Sequence, residues 1–250
     1  MYVQTYNLEE QSIIMKKTIH PANERGHNDI GWLKANFSFS FGPYYNPGRV
    51  HFGALRVLND DIITGGAGFG THPHDNMEII TIPIYGALEH RDSMGNIGVI
   101  TAGEVQVMSA GTGIQHSEYN HSKTEDANTL QIWLFPKEMN IEPRYDQKSF
   151  IEDLKPNQFA TLVSPVKGGE AIWINQDAIF SMGDFEPGQQ IKYDIQIPGN
   201  GAYIFVIDGQ VAVEGTVLNK RDALGVEDIS SFTLETLKQS RILIMEVPMR

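Results

Sequence analysis

Residues 66–120 alternate short apolar runs with glycine turns, and a polar cluster marks each end of the stretch: His72-Pro73-His74 and His116-Ser117-Glu118. Gly86, the Ser93-Met94-Gly95-Asn96 turn and Gly103 interrupt the runs between them. Neighbouring strand residues point to opposite faces, so residues two apart share one. Extended backbone therefore projects His72 with His74, and His116 with Glu118. Two such pairs facing each other across a small barrel supply three imidazoles and one carboxylate. That donor set suits Fe(II), Mn, Co, Ni, Cu or Zn, and the residue types alone do not choose among them.

The competing reading is two surface histidine pairs near turns. The equal offset of two in each cluster and the glycine-flanked, apolar setting of both favour the metal site. Glu78 shares strand parity with His74, so it is a fourth ligand in place of Glu118, a group holding an imidazole, or a buried structural carboxylate. His90 and Asp92 also share parity, but Glu89 and Arg91 beside them read as a solvated hairpin face. His121 reads as exposed, and His20, His27 and His51 show no partner spacing. The glycine-rich run Gly65 to Gly70 is not a dinucleotide loop, because Pro73 and an alternating strand follow where a helix should begin. These glycines let backbone come close to the metal cluster.

The absence of cysteine excludes disulfides, iron–sulfur clusters and thiolate zinc sites, leaving nitrogen and oxygen ligands. A formal charge of −12 without a basic patch disfavours direct contact with nucleic acid or anionic membrane. No apolar run approaches the ~20 residues of a membrane span. Nor does the N-terminus read as an export signal, so the cytoplasm is the expected location.

Elsewhere, Phe37, Phe39 and Phe41 alternate with small residues as in a half-buried strand. Val50–Leu58 reads as a second strand and Asn59-Asp60-Asp61 as the turn after it. Leu130–Phe135 is a buried strand. The second half repeats the first in worn form: Ala202–Val213 matches the strand–glycine–strand pattern around Gly86, Arg221–Val226 matches the step from Gly103 to Met108, and Ile242–Val247 closes the set. All eight histidines lie at or before His121, so only the first half can hold a nitrogen-ligated metal. The expected fold is all-β, two tandem β-barrels. Residues 1–14 are expected to form an N-terminal extension, with Met15 reading as an alternative start. Residues 15–138 are expected to form the metal-bearing barrel, and residues 139–250 a barrel without ligands.

Gly66, His72-Pro73-His74 and Glu78, followed by Gly103 through Gly113 to His116 and Asn120, resemble the two motifs of the cupin superfamily. Ala22–Gly26, Phe39-Ser40-Phe41, Thr71–His74, His90-Arg91-Asp92-Ser93-Met94-Gly95 and Ser109–Gly113 leading into His116-Ser117-Glu118 resemble the pirin family more closely. Among pirins, the likeness is to bacterial pirin-like quercetin 2,3-dioxygenases. It spans about residues 20–150 and continues weakly as a second cupin barrel, the pair making a bicupin of double-stranded β-helices. Asp75-Asn76-Met77 departs from the wider family, where many members carry a basic residue and glycine.

The resemblance implies a single divalent metal, Fe(II) before the alternatives, held by His72, His74, His116 and Glu118, which favours Glu118 over Glu78. It implies opening of a flavonol heterocycle with O2 and release of CO, with Glu118 also accepting the substrate proton. Phe39, Phe41, Ile82 and Met108 are the expected pocket walls. The alternative function is that of a pirin-like metal-binding regulator acting through a protein partner, and a third is action on a different small aromatic or carbonyl compound.

Overall fold

The structure is a computed structural model and describes residues 15–249; the expected extension over residues 1–14 lies outside the described residues. The chain forms β1 (Lys16–His20), β2 (Gly26–Asp29), β3 (Leu33–Phe37), β4 (Leu55–Ile63), β5 (Gly68–His74) and β6 (Glu78–Tyr85). These are followed by β7 (Ala87–Asp92), β8 (Ile97–Thr101), β9 (Glu104–Ser109), β10 (Ile114–Asn120), β11 (Ala127–Leu134) and β12 (Arg144–Ser149). The second half contributes β13 (Phe159–Ser164), β14 (Ile172–Trp173), β15 (Ile179–Phe185), β16 (Gln190–Asp194) and β17 (Asn200–Asp208). It ends with β18 (Gln210–Val213), β19 (Thr216–Asn219), β20 (Ala223–Glu227), β21 (Ser231–Thr236) and β22 (Ser240–Pro248).

Each barrel closes a seven-stranded sheet over a four-stranded one. The first combines β12-β9-β6-β11-β4-β3-β2 with β5-β10-β7-β8, and the second combines β1-β20-β17-β22-β15-β13-β14 with β16-β21-β18-β19. This is the expected bicupin. The repeat is visible in detail: Gly86 between β6 and β7 and Gly209 between β17 and β18 both take left-handed φ, 75° and 93°, which a residue with a Cβ adopts at a penalty. The barrels also exchange strands across the expected division at 138/139. β1 pairs with β20 in the second barrel, and β12 pairs with β9 in the first. Each covers a sheet edge that would otherwise present unpaired backbone.

Strand parity decides what each face of the first barrel does. Leu130, Ile132 and Leu134 of β11, with Ile80 and Ile82 of β6, join Leu162, Phe180, Tyr203, Phe205, Leu243 and Met245 in one core between the two large sheets. The alternate residues of β6 and β11, among them Thr81, Gln131 and Trp133, face the first barrel's interior, where Thr81 and Gln131 meet Glu118 and Trp133 meets His74. The second barrel's interior is filled instead by an apolar cluster that includes Tyr193, Ile204, Val211, Phe232 and Ile244.

Three expectations for the early chain are corrected. The strand expected over Val50–Leu58 runs over Leu55–Ile63, and Asn59-Asp60-Asp61 is no turn but lies inside it, paired on both sides. The cross-strand partners override local turn chemistry. Asp60 is met by Arg25 at 3.3 Å, Arg221 at 3.2 Å and the Asn128 amide at 2.8 Å, while its neighbours turn into the barrel. The aromatic alternation also breaks after β3. Phe37 and Phe41 stay within 5.8 Å of each other, but Phe39 turns to the inter-barrel core against His20 and Tyr203.

Candidate metal centre

β5 and β10 lie antiparallel, with His116 directly opposite His72. Gly68 makes this approach feasible, because a Cβ there would collide with the Glu118 carbonyl and Tyr119 Cα. Gly65 is equally closed in by Lys123 and Thr124, while Gly70 is open, so part of the glycine run serves close packing as expected. Ring centroids lie 4.5 Å apart for His72–His116, 4.8 Å for His72–His74 and 4.9 Å for His74–His116. The three imidazoles offer nitrogens that all lie within 4.8 Å of one another.

The hydrogen bonds and burial suit these rings to a cation. His72 Nδ1–H donates to the Gly70 carbonyl at 2.8 Å, leaving Nε2 with a free lone pair. His116 is buried and its Nε2 has no hydrogen-bond partner among the described residues. Burial, then the neighbouring imidazoles, lowers His116 to about 3; burial, then His72, lowers His74 to about 4. Both are neutral near pH 7, the form that ligates a metal. An orphaned, water-shielded imidazole nitrogen beside two more imidazoles fits a divalent transition metal.

Between His116 and Glu118 the pairing with β5 slips by one residue, the extra residue lying on β5, while β10 stays in register with β7 and brings Glu118 opposite His90. Gln131 Nε2 donates to Glu118 Oε2 at 2.7 Å. Thr81 Oγ1 lies 3.2 Å from both Glu118 Oε1 and Gln131 Oε1, so its single proton serves one of them at a time. Burial pushes the Glu118 carboxyl up to about 7. Glu118 groups with His116 and His90 at ligand spacing, and with His72 and His74 it lines one cavity of about 250 Å³.

That cavity is walled by Phe41, Phe69 and Trp133, with Asn59, Asp61 and Gln131 as its other polar lining. Of the expected walls only Phe41 is there. Phe39 and Ile82 belong to the inter-barrel core, and Met108 packs with Ile79, Ala110 and Ile114. Asn59 Oδ1, Asp61 Oδ1 and Trp133 Nε1 are buried without partners among the described residues. Burial, then the Asp60 and Glu118 carboxylates, raises Asp61 to about 8. A larger groove of about 600 Å³ lies at the barrel junction beside Arg144 and Trp173, and none of the imidazoles lines it.

Glu78 resolves as the buried structural carboxylate. It accepts from Ser109 Oγ at 2.8 Å and from the Asn175 backbone N–H of the second half at 3.2 Å, away from the imidazoles. The reading of His90 and Asp92 as a solvated face is overturned, since both side chains are fully enclosed and His90 lies against His116. His121 is exposed as expected. His20, to which no role was assigned, is buried and bonded to the Tyr203 hydroxyl at 2.7 Å. Parity within Leu130–Phe135 carried the signal for Gln131 and Trp133. Asn59 and Asp61 were hidden by their turn-like composition.

Residues 18–134 match the Pirin family, and residues 161–247 match the quercetinase C-terminal cupin domain. A quercetin 2,3-dioxygenase of Escherichia coli K12 is 40% identical over 230 residues, covering 92% of this chain and 98% of that protein. A pirin-like protein of Caulobacter vibrioides is 39% identical over 227 residues, covering 90% and 97%. The crystal structure of the bacterial pirin YhhW from Escherichia coli in complex with nickel(II) superposes with a TM-score of 0.88 at 39% identity, covering 93% and 99%. Among the described residues, no helix is long and apolar enough to cross a membrane.

Proposed function

The chain belongs to the pirin family, and from that premise we propose that it is a metal-dependent dioxygenase that opens the heterocycle of flavonols such as quercetin with O2 and releases CO. The observation that carries this reading is the clustering of His72, His74 and His116, with His72, His74 and Glu118 lining an aromatic cavity. His72, His74, His116 and Glu118 would hold one divalent transition metal, Fe(II) first among those the ligand set accepts. Such an ion supplies Lewis acidity that favours the flavonolate over the neutral flavonol.

The remaining chemistry belongs to the chain itself. Phe41, Phe69 and Trp133 offer flat apolar surfaces to fused aromatic rings and keep water out. The unpartnered Asn59 Oδ1 is an acceptor and Trp133 Nε1 a donor for ring hydroxyls, and the Asp61 carboxyl, which burial keeps protonated near pH 7, can serve as either. Glu118 accepts the proton of the 3-hydroxyl, and Gln131 keeps its carboxylate oriented toward the cavity. Atoms balance when the O2 oxygens stay with the two ring carbons that lose their bonds to C3, and C3 leaves with its own oxygen as CO. The proton held by Glu118 then returns to the carboxylic acid of the product.

The test is turnover of quercetin under air by chelated and metal-reloaded protein, with metal content measured alongside. Chelation should abolish loss of the flavonol absorbance, and reloading with iron, nickel or manganese should restore it with CO in the headspace. Metal-loaded protein that leaves the flavonol untouched overturns the reading.

A further inference from the structure

His90 is within ligand spacing of His116 and Glu118 but lies outside the proposed ligand set, and the segment from His90 to Asn96 is built tightly against that set. Asp92 ends β7, and its carboxylate accepts the backbone N–H groups of Met94 and Asn96, both at 3.0 Å, and the Asn96 amide at 2.9 Å. Its Oδ2 also lies 3.2 Å from His90 Nε2. The other nitrogen of that ring, His90 Nδ1, lies 3.5 Å from His116 Nδ1. The Tyr145 ring, 4.8 Å away by centroid, packs against His90, which is fully buried.

Proton placement along this chain has one consistent solution. An acceptor-only carboxylate facing His90 Nε2 requires the proton there, because a bare nitrogen would set two lone pairs against each other. A neutral imidazole carries one proton, so His90 Nδ1 is then an acceptor. Its neighbour, His116 Nδ1, must be the donor. That leaves His116 Nε2 bare, and this is the buried nitrogen with no hydrogen-bond partner among the described residues. His72 reaches the same state by another route, through the Gly70 carbonyl.

We propose that His90 and Asp92 are positioning residues that fix the ring of His116 in the Nδ1–H tautomer and present its Nε2 to the metal. The inference rests on the metal centre proposed above. Partners of this kind set ligand orientation and basicity, and losing one lowers metal affinity by roughly 10–100-fold. His90 makes no contact with the aromatic cavity, so its effect is on metal retention rather than substrate fit.

Two measurements test this. Ni(II) is titrated into metal-free wild type, His90→Leu and His90→Gln. The Leu variant fills the space without an acceptor, while the Gln amide oxygen can still accept from His116. Affinity should fall roughly 10–100-fold in His90→Leu and recover in large part in His90→Gln. Without relying on the His90 variants, nitrogen NMR of Zn(II)-loaded wild type reads which His116 nitrogen carries the proton, its signals assigned by their loss in His116→Gln. A protonated Nδ1 supports the relay; a metal-bound Nδ1, or His90→Leu holding Ni(II) as tightly as wild type, overturns it while leaving the metal centre standing. Wild type that takes up neither ion sinks both.

Discussion

Asp61→Asn should stabilise the metal-free protein near neutral pH and do little in acid. Asp61 is buried on β4 facing the cavity, one position from Asp60 and in the field of Glu118. Burial and these two carboxylates raise it from 3.8 to about 8. In the unfolded chain it ionises at its ordinary value, so between the two values only the folded protein carries the proton. The unfolded state then binds fewer protons, and stability falls as pH rises through the window. At about 1.4 kcal/mol per pH unit, the penalty has a ceiling of about 5 kcal/mol at pH 7.5 and is about 0.5 kcal/mol at pH 4.

Asparagine has the same shape and no proton to hold. Relaxation of the site and the new amide's own need for partners absorb part of the gain, leaving about 2–3 kcal/mol. For a chain of this size that is a rise in Tm of about 5–10 °C. Thermal unfolding followed by circular dichroism, for chelated wild type and variant at pH 7.5 and pH 4, reads it directly. A variant no more stable than wild type at pH 7.5, or a difference equal at both pH values, refutes the assignment of Asp61 as a proton-holding buried acid.

Glu118→Gln keeps the size and much of the hydrogen bonding to Thr81 and Gln131 but cannot accept a proton; metal content by elemental analysis should persist while quercetin turnover falls ~100-fold or more. Gly68→Ala pushes β5 away from the Glu118 carbonyl, which should cost about 1–3 kcal/mol in denaturant unfolding and weaken Ni(II) binding in a titration. Tyr203→Phe removes the hydroxyl that meets His20 Nδ1 in the inter-barrel core, and chemical denaturation should show a loss of about 1–3 kcal/mol with metal affinity unchanged.

The cluster spacing made the imidazole triad legible, because period-two geometry survives wherever a strand forms. The repeat around Gly86 and Gly209 likewise exposed the two barrels, since a left-handed turn position leaves its mark in residue type. What stayed hidden depended on contacts between distant segments. Asn59-Asp60-Asp61 has turn composition, and only Arg25, Arg221 and Asn128, none of them close in sequence, make a strand of it. The enclosure of His90 and Asp92 depends on Tyr145 arriving from β12, which the expected division of the chain had assigned to the other barrel. Phe39 left its period-two partners because Tyr203 and His20 offered it a better-packed place.

The histidine-free second half complements the polar interior of the first. A barrel usually draws stability from its own interior, but here that interior holds Asn59, Asp61, Thr81, Gln106, His90, His116 and Glu118, all buried polar groups that contribute little by burial and are destabilising when unpaired. Its own apolar clusters, around Phe37, Ile63 and Leu88 and around Ile79, Met108 and Ile114, are small, and the largest dry contact lies on the outer face. On that side Ile80, Ile82, Leu130, Ile132 and Leu134 meet Leu162, Phe180, Phe205, Leu243 and Met245 of the second large sheet. The second barrel, filled by its own apolar cluster, is rigid enough to present that surface. Glu78, Asn175 and the two exchanged strands fasten the halves together.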